Sequence, residues 1–170
     1  ENLLSMAAEL RIEARTAFGL ARDYAPHLAD SDHTQNVVCL SETPLEHLWM
    51  LCRPIDGRSA PMSRYGGVFS RDEVRRRRSN PVWYLDTTQA GGVEWLTKPF
   101  LNLITEALRR SRVNGHFDGA LMAQQEIFKI TPYLESMGQG RAYRKDFHWE
   151  REWRHVGHLD FTSRDVVAVL

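Results

Sequence analysis

Long apolar runs are missing from this sequence. No stretch approaches the roughly 18 consecutive apolar residues that a membrane-spanning helix needs. No leading segment has the layout of a secretory signal. The expectation is therefore a cytoplasmic chain with no membrane partner. Net charge is missing too, because 22 Lys and Arg balance 22 Asp and Glu. No global field draws such a chain to nucleic acid or to lipid. Cysteine is scarce, with Cys39 in an apolar run and Cys52 at the end of an expected helix. Both read as buried free thiols, which suits a reducing compartment. There is no Gly-rich phosphate loop, no G-x-S-x-G, no H-E-x-x-H and no C-x-x-C, which removes the commonest phosphate, esterase, zinc-protease and redox signatures. The seven histidines show no metal-ligand spacing, so no metal is expected.

What is present fits a globular chain of ordinary composition. Its 170 residues suffice for one domain with a real core, taken as residues 1–170. The sequence opens inside a helical pattern and closes on the apolar run Val166 to Leu170, so both termini read as cut. Leu3, Ala7, Leu10, Ala14, Phe18 and Ala21 recur at three- and four-residue steps, which predicts an amphipathic helix over about residues 2–22. A polar loop from Asp23 to Gln35 leads to a short strand over residues 36–41. Thr43-Pro44-Leu45-Glu46 then has the form of a capping box. Thr43 would be N-cap, with Leu45, Leu48, Trp49 and Cys52 on the apolar face of the helix it opens.

A loop over residues 53–64 precedes a strand at Tyr65 to Phe69. Ser70 to Glu73 forms a second capping box, opening a helix to about Arg78. The tetrabasic run Arg75 to Arg78 at its end reads as a solvated helix terminus favoured by the macrodipole, with phosphate contact as the lesser reading. Asn80-Pro81 marks a turn before a strand at residues 82–86. A helix is expected from Val93 to Arg112, restarting at Pro99, with Phe100, Leu103, Ile104, Ala107 and Leu108 as its core stripe. Asn114-Gly115 ends it. Residues 120–128 are ambiguous, Ile127 to Leu134 could form a strand, and Gly138 to Gly140 reads as a flexible turn. Strands and helices without regular alternation give an α+β fold, with a central, mostly antiparallel sheet flanked by helices. The strands near 36–41, 66–69, 82–86 and 147–156 are expected to share that sheet.

The richest stretch is Phe147 to Val156. Read as one strand, it places Phe147, Trp149, Arg151 and Trp153 on one face and His148, Glu150, Glu152 and Arg154 on the other. That pattern has two readings. One is a half-buried strand with a solvated ion-pair ladder. The other is a cleft wall with Glu150 and Glu152 about 6–7 Å apart along the strand, held by Arg154. In such a pair one carboxylate can hold a ribose hydroxyl while the other stabilises a cationic transition state. Ser41, Glu42 and Thr43 bring short polar groups to a strand-to-helix junction, where a pocket wall often lies; capping alone would also explain them. Tyr65 beside Gly66 offers a ring next to approachable backbone, or simply edge packing.

Four segments resemble a known family, in order and at similar spacing. Residues 38–45, VCLSETPL, look like the CFxDIPL segment of the abortive phage resistance protein AbiGi family. Residues 65–70, YGGVFS, resemble its YGxxGIGFS. Residues 80–85, NPVWYL, resemble its NPVLYV, and residues 150–156, EREWRHV, its EREWRYV. The resemblance covers about residues 36–160. It implies a part in abortive infection or a toxin–antitoxin system, with a cognate toxin or antitoxin protein as partner. The same order of parts is similar to ADP-ribosyltransferase-like folds, with Ser41 to Thr43 and Glu150 to Glu152 in the later motif positions. By that analogy the chain would transfer ADP-ribose from NAD to nucleic acid or protein. Glu152 would stabilise the oxocarbenium-like state and orient the ribose, Glu150 would activate the acceptor, and Arg154 would fix both carboxylates. Ser41, Thr43 and Tyr65 would line the NAD site. The alternative is a non-catalytic antitoxin or protein-binding module whose E-x-E-x-R run is purely structural.

Overall fold

The computed structural model describes residues 3–28, 34–55, 62–88, 94–139, 144–146 and 148–170. At its centre is a four-stranded sheet in the order Thr16–Ala17, Asn36–Ser41, Glu152–Val156, Asn80–Pro81, antiparallel throughout. Val37 and Val38 are both buried, so the Asn36–Ser41 strand is covered on its two faces, as β-branched residues in sequence suggest. Its register against Glu152–Val156 sets Ser41 opposite Glu152, Cys39 opposite Arg154 and Val37 opposite Val156.

The chain from Asn80 to Asp86 serves two sheets in succession. Asn80–Pro81 pairs with the central strand, and the Val82 N–H donates to the Glu152 carbonyl at 2.9 Å. Trp83–Asp86 then runs parallel to Leu134–Gln139, which also pairs with Arg144–Lys145. Among the described residues, three short antiparallel pairs complete the strands: Arg11–Ile12 with Leu159–Asp160, Gly67–Phe69 with Val166–Val169, and the hairpin Arg112–Val113 with His116–Phe117. Helices flank them. The long helix Glu94–Arg110 packs Ile104 and Ala107 against Met122 and Phe128 from the short helices Gly119–Ala123 and Glu126–Ile130, with Ala21 and Leu28 closing the cluster. A smaller cluster of Ala14, Val38 and Leu159 sits against the sheet. The α+β architecture with antiparallel central sheet and flanking helices is the expected one.

Several local expectations fail for identifiable reasons. The helix expected over residues 2–22 is only Leu3–Glu9. Leu10 takes φ +51° and Gly19 φ +88°, which break helical continuity. The apolar periodicity arises because Ala14 and Ala21 bury in two different clusters, not on one helix face. The polar loop from Asp23 contains a 3₁₀ segment, Arg22–Leu28. Residues 126–133 are helical, and the strand begins at Leu134 and takes in Gly138 and Gln139, expected as a turn. Of the four strands expected in one sheet, only Asn36–Ser41 and Glu152–Val156 share it. Pro99 lies inside a continuous helix on which Leu103, assigned to its core, is exposed. Cys39, expected buried, is an exposed free thiol, and Cys52 is half-buried. In the tetrabasic run Arg77 is built in, pairing with Glu73 and Asp165 and donating to the Asp160 carbonyl. Its neighbours Arg75 and Arg76 stay more exposed on Asp72 and Glu73.

Candidate functional site

The expected single strand over residues 147–156 is two structures. His148–Glu150 forms a 3₁₀ turn, Arg151 takes φ +50°, and the strand starts only at Glu152. Phe147 lies outside the described residues. Strand alternation therefore does not carry Glu150 and Glu152 onto one face, although it does carry Glu152 and Arg154.

Arg154 is the centre of what results. Its side chain is 1% exposed, and all three guanidinium nitrogens are engaged. Nε donates to Glu152 Oε1 at 2.9 Å and NH1 to the Pro132 carbonyl at 2.7 Å. NH2 donates to Glu135 Oε2 at 2.7 Å and to Glu152 Oε2 at 3.3 Å. Its Cζ lies 4.9 Å from the Phe18 ring centre, a cation–π contact. The Tyr84 hydroxyl donates to Glu152 Oε2 at 3.0 Å, and the Gly19 N–H reaches Glu135 Oε2 at 3.4 Å. Burial works against the Arg154 charge, but the two carboxylates outweigh it and hold its pKa above the usual arginine value. Burial and the Glu152 charge both push the Tyr84 hydroxyl up, so it stays a donor. Glu152 and Arg154 are thus members of a closed ion-pair network that ties the central strand to residues 132–135.

Ser41 and Thr43 are drawn into the same region by a different contact. Ser41 Oγ donates to the Glu150 carbonyl at 2.7 Å and Thr43 Oγ1 to the same oxygen at 3.1 Å. Thr43 does not cap a helix. The N-cap position before the 3₁₀ turn Leu45–His47 is Pro44, with no side-chain cap bond. The capping-box pattern was matched by residues whose hydroxyls are committed across the sheet. Ser70, by contrast, accepts from the Glu73 N–H and caps Arg71–Arg76 as expected. Between Ser41 and Thr43, Glu42 collects three donors: Trp153 Nε1 at 3.1 Å, Arg71 at 3.1 Å and Arg151 at 3.2 Å. Partial burial raises its pKa, but the indole and both guanidiniums outweigh that and keep it below the usual carboxylate range.

Ser41, Glu42 and Thr43 stand on the wall of a groove of about 1060 Å³. Leu51, Val74 and Trp153 form its buried floor. Leu45, Trp49 and Met62 line it while remaining exposed, and Tyr65 stands at its rim, 72% exposed. Glu150, Glu152 and Arg154 do not line this groove. The expected site is therefore divided. The residues assigned to ligand binding face the groove, and those assigned to catalysis lie behind it, in the packed interior. Glu150 is 5% exposed.

A family model described as "Putative abortive phage resistance protein AbiGi, antitoxin" matches residues 5–169. The chain belongs to the AbiGi family. No curated protein and no solved structure matches it.

Three of the four AbiGi-like segments meet at one place. Residues 38–41 and 152–156 are antiparallel neighbours, and Asn80–Pro81 pairs with the other edge of 152–156. These segments build the frame of the AbiGi domain rather than the groove alone. Two residues of consequence were missed from sequence. Glu135 supplies the second carboxylate on Arg154 but stands just past the run Ile127 to Leu134 that the sequence offers as a strand. Glu42 was noted only as a polar neighbour, although Trp153 and Arg151 in the E-R-E-W-R run are its donors. No group of three His, Cys, Asp or Glu side chains arranged to hold a metal occurs among the described residues. Nor is any helix among them long and apolar enough to cross a membrane. His155 lies 3.2 Å from Ser79 Oγ and 3.1 Å from the His158 carbonyl, while His158 Nδ1 accepts from the Ala14 N–H.

Proposed function

We propose that this chain is the non-catalytic antitoxin of an abortive-infection pair, acting by binding a toxin protein. The observation that carries the reading is the closure of the Glu152–Arg154–Glu135 network. A carboxylate that stabilises a cationic transition state must reach the reacting sugar. Glu152 has both oxygens on Arg154 and one on Tyr84, and Arg154 is shut from solvent. Freeing Glu152 for a ribose hydroxyl would take the acceptor from Nε of a buried guanidinium and leave it one carboxylate short, and an unsatisfied buried donor costs about 1–3 kcal/mol or more. The groove, with its exposed apolar walls, is by contrast the kind of surface that proteins recognise.

ADP-ribose transfer from NAD is the finer, rival reading. It draws support from Ser41 and Thr43, which line the groove one strand away from Glu152. Two measurements separate the readings. Co-expression with the cognate toxin should restore growth and yield a stable complex on size exclusion. The purified chain, alone or with RNA or protein acceptors, should release no nicotinamide from NAD. Nicotinamide release that disappears in Glu152→Ala, with no effect on toxin activity, would replace the antitoxin reading by the enzymatic one.

A further inference from the structure

We propose that the groove bounded by residues 45–53 and the Gly67–Phe69 strand docks an acidic amphipathic segment of the partner protein. Its apolar side chains would fill the groove and its carboxylates would meet Arg53, Arg64 and Arg71. The inference rests on the antitoxin reading and gives it a place and a chemistry.

Size and lining come first. The groove's roughly 1060 Å³ lies at the top of the range of small-molecule pockets, about 300–1,000 Å³. Leu45, Trp49 and Met62 remain exposed along it, so several apolar side chains of a partner have somewhere to go. A run of anchors on one face of a helix is the usual way a polypeptide fills such a groove.

Charge decides which polypeptide. Among the described residues, four charged side chains line the groove: Glu42, Arg53, Arg64 and Arg71. Glu42 already accepts from Arg71, Arg151 and the Trp153 indole, so it has little left to offer a cationic ligand. Arg53 lies 4.2 Å over the Trp49 ring, and neither it nor Arg64 meets a carboxylate among the described residues. The chain as a whole is neutral, with 22 cations and 22 anions. The positive surplus along the groove is therefore not part of a global positive field, and it selects against basic partners. A nucleic acid would ask for a continuous cationic track beside the stacking rings, whereas here the Glu42 carboxylate stands among the cations and Arg71 is already paired with it.

The test uses the full chain and a fluorescein-labelled helical peptide of about four turns, with leucines on one stripe and glutamates elsewhere. A second peptide replaces every glutamate by lysine. Anisotropy should show saturable binding of the acidic peptide and at least about tenfold weaker binding of the basic one. In the double variant Arg53→Glu, Arg64→Glu the preference should reverse, while Arg109→Glu, on the remote helix, should behave like the parent. Melting temperature monitors folding of each variant. Equal affinity for the two peptides, a preference unmoved by the double variant, or tighter binding of dodecanoate or a single-stranded oligonucleotide would each overturn the proposal. Toxin neutralisation by the same variants keeps the two ideas apart. Neutralisation that survives Arg53→Glu, Arg64→Glu sinks the groove proposal and leaves the antitoxin reading standing. An unmutated chain that binds the acidic peptide but never neutralises the toxin sinks the antitoxin reading instead.

Discussion

At the scale of single residues, the burial of Arg154 is the most consequential choice in the chain. A guanidinium taken out of water must recover its hydration from fixed partners, and here each nitrogen finds an acceptor within 2.9 Å. Glu152→Gln tests what that arrangement is for. Gln keeps an acceptor near Nε but removes a charge from a side chain that is only 16% exposed. The expected result is a loss of about 1–3 kcal/mol in urea denaturation, the scale of a hydrogen bond to a charged group. An unchanged or raised melting temperature would show a strained carboxylate kept for chemistry. Arg154→Met should cost more, about 3–5 kcal/mol, because it removes the buried cation that Glu135 and Glu152 share. Gly19→Ala should be poorly tolerated for a different reason: at φ +88° a new Cβ would sit 1.9 Å from the Thr131 carbonyl oxygen. Half of the Arg154 network was legible in sequence. Glu152 and Arg154 share a strand face by simple alternation, whereas Glu135 and the Pro132 carbonyl reach Arg154 across 19 and 22 residues of chain, a distance that local pattern does not encode.

At the scale of elements, boundaries are set by contacts made across the sheet. The central strand begins at Glu152 because the Glu150 carbonyl is turned toward Ser41 and Thr43, and Arg151 takes the left-handed conformation that the turn requires. Ser41→Ala and Thr43→Val each remove one donor to that oxygen while leaving the other. Each single change should therefore cost about 0.5–1.5 kcal/mol, and the double change should depart from their sum by at least about 0.5 kcal/mol. Strict additivity in a double-mutant cycle would mean that the two hydroxyls act independently. Elements whose signals are self-contained were read correctly from sequence. The Asn36–Ser41 strand and the Ser70 cap depend on local composition. Asn114-Gly115, expected to end the long helix, is instead the left-handed pair of a tight hairpin turn, the helix having already ended at Arg110. The N-terminal helix and the Thr43 cap failed where apolar spacing or a cap-like motif served long-range packing instead. The groove was half legible: Ser41, Thr43 and Tyr65 do line it, but its division from the carboxylates depends on the break at Arg151.

At the scale of the whole molecule, several small sheets are held together by polar contacts at their joints, and one of these joints holds a histidine whose pKa burial lowers. His155, on the central strand, bridges Ser79 behind the Arg71–Arg76 helix and the His158 carbonyl in the turn that follows the strand. Burial holds its pKa below the ordinary value of about 6.5. The His158 and Arg77 backbone groups and the Asp160 charge favour the charged ring, and the Arg77 charge opposes it, without overcoming the burial. In the window between the depressed folded value and about 6.5, the unfolded chain binds more protons than the folded one. Stability therefore rises with pH through that window. The contribution is fully present above about pH 6.5 and is lost as the pH falls toward the folded value. Equal numbers of acidic and basic side chains keep net repulsion small at the upper end. Urea midpoints measured from pH 7.5 down to 5.5 should fall for the unmutated chain and fall less for His155→Gln, which keeps a donor and an acceptor but does not titrate. Parallel curves for the two proteins would assign the acid sensitivity to other groups and remove His155 from the joint.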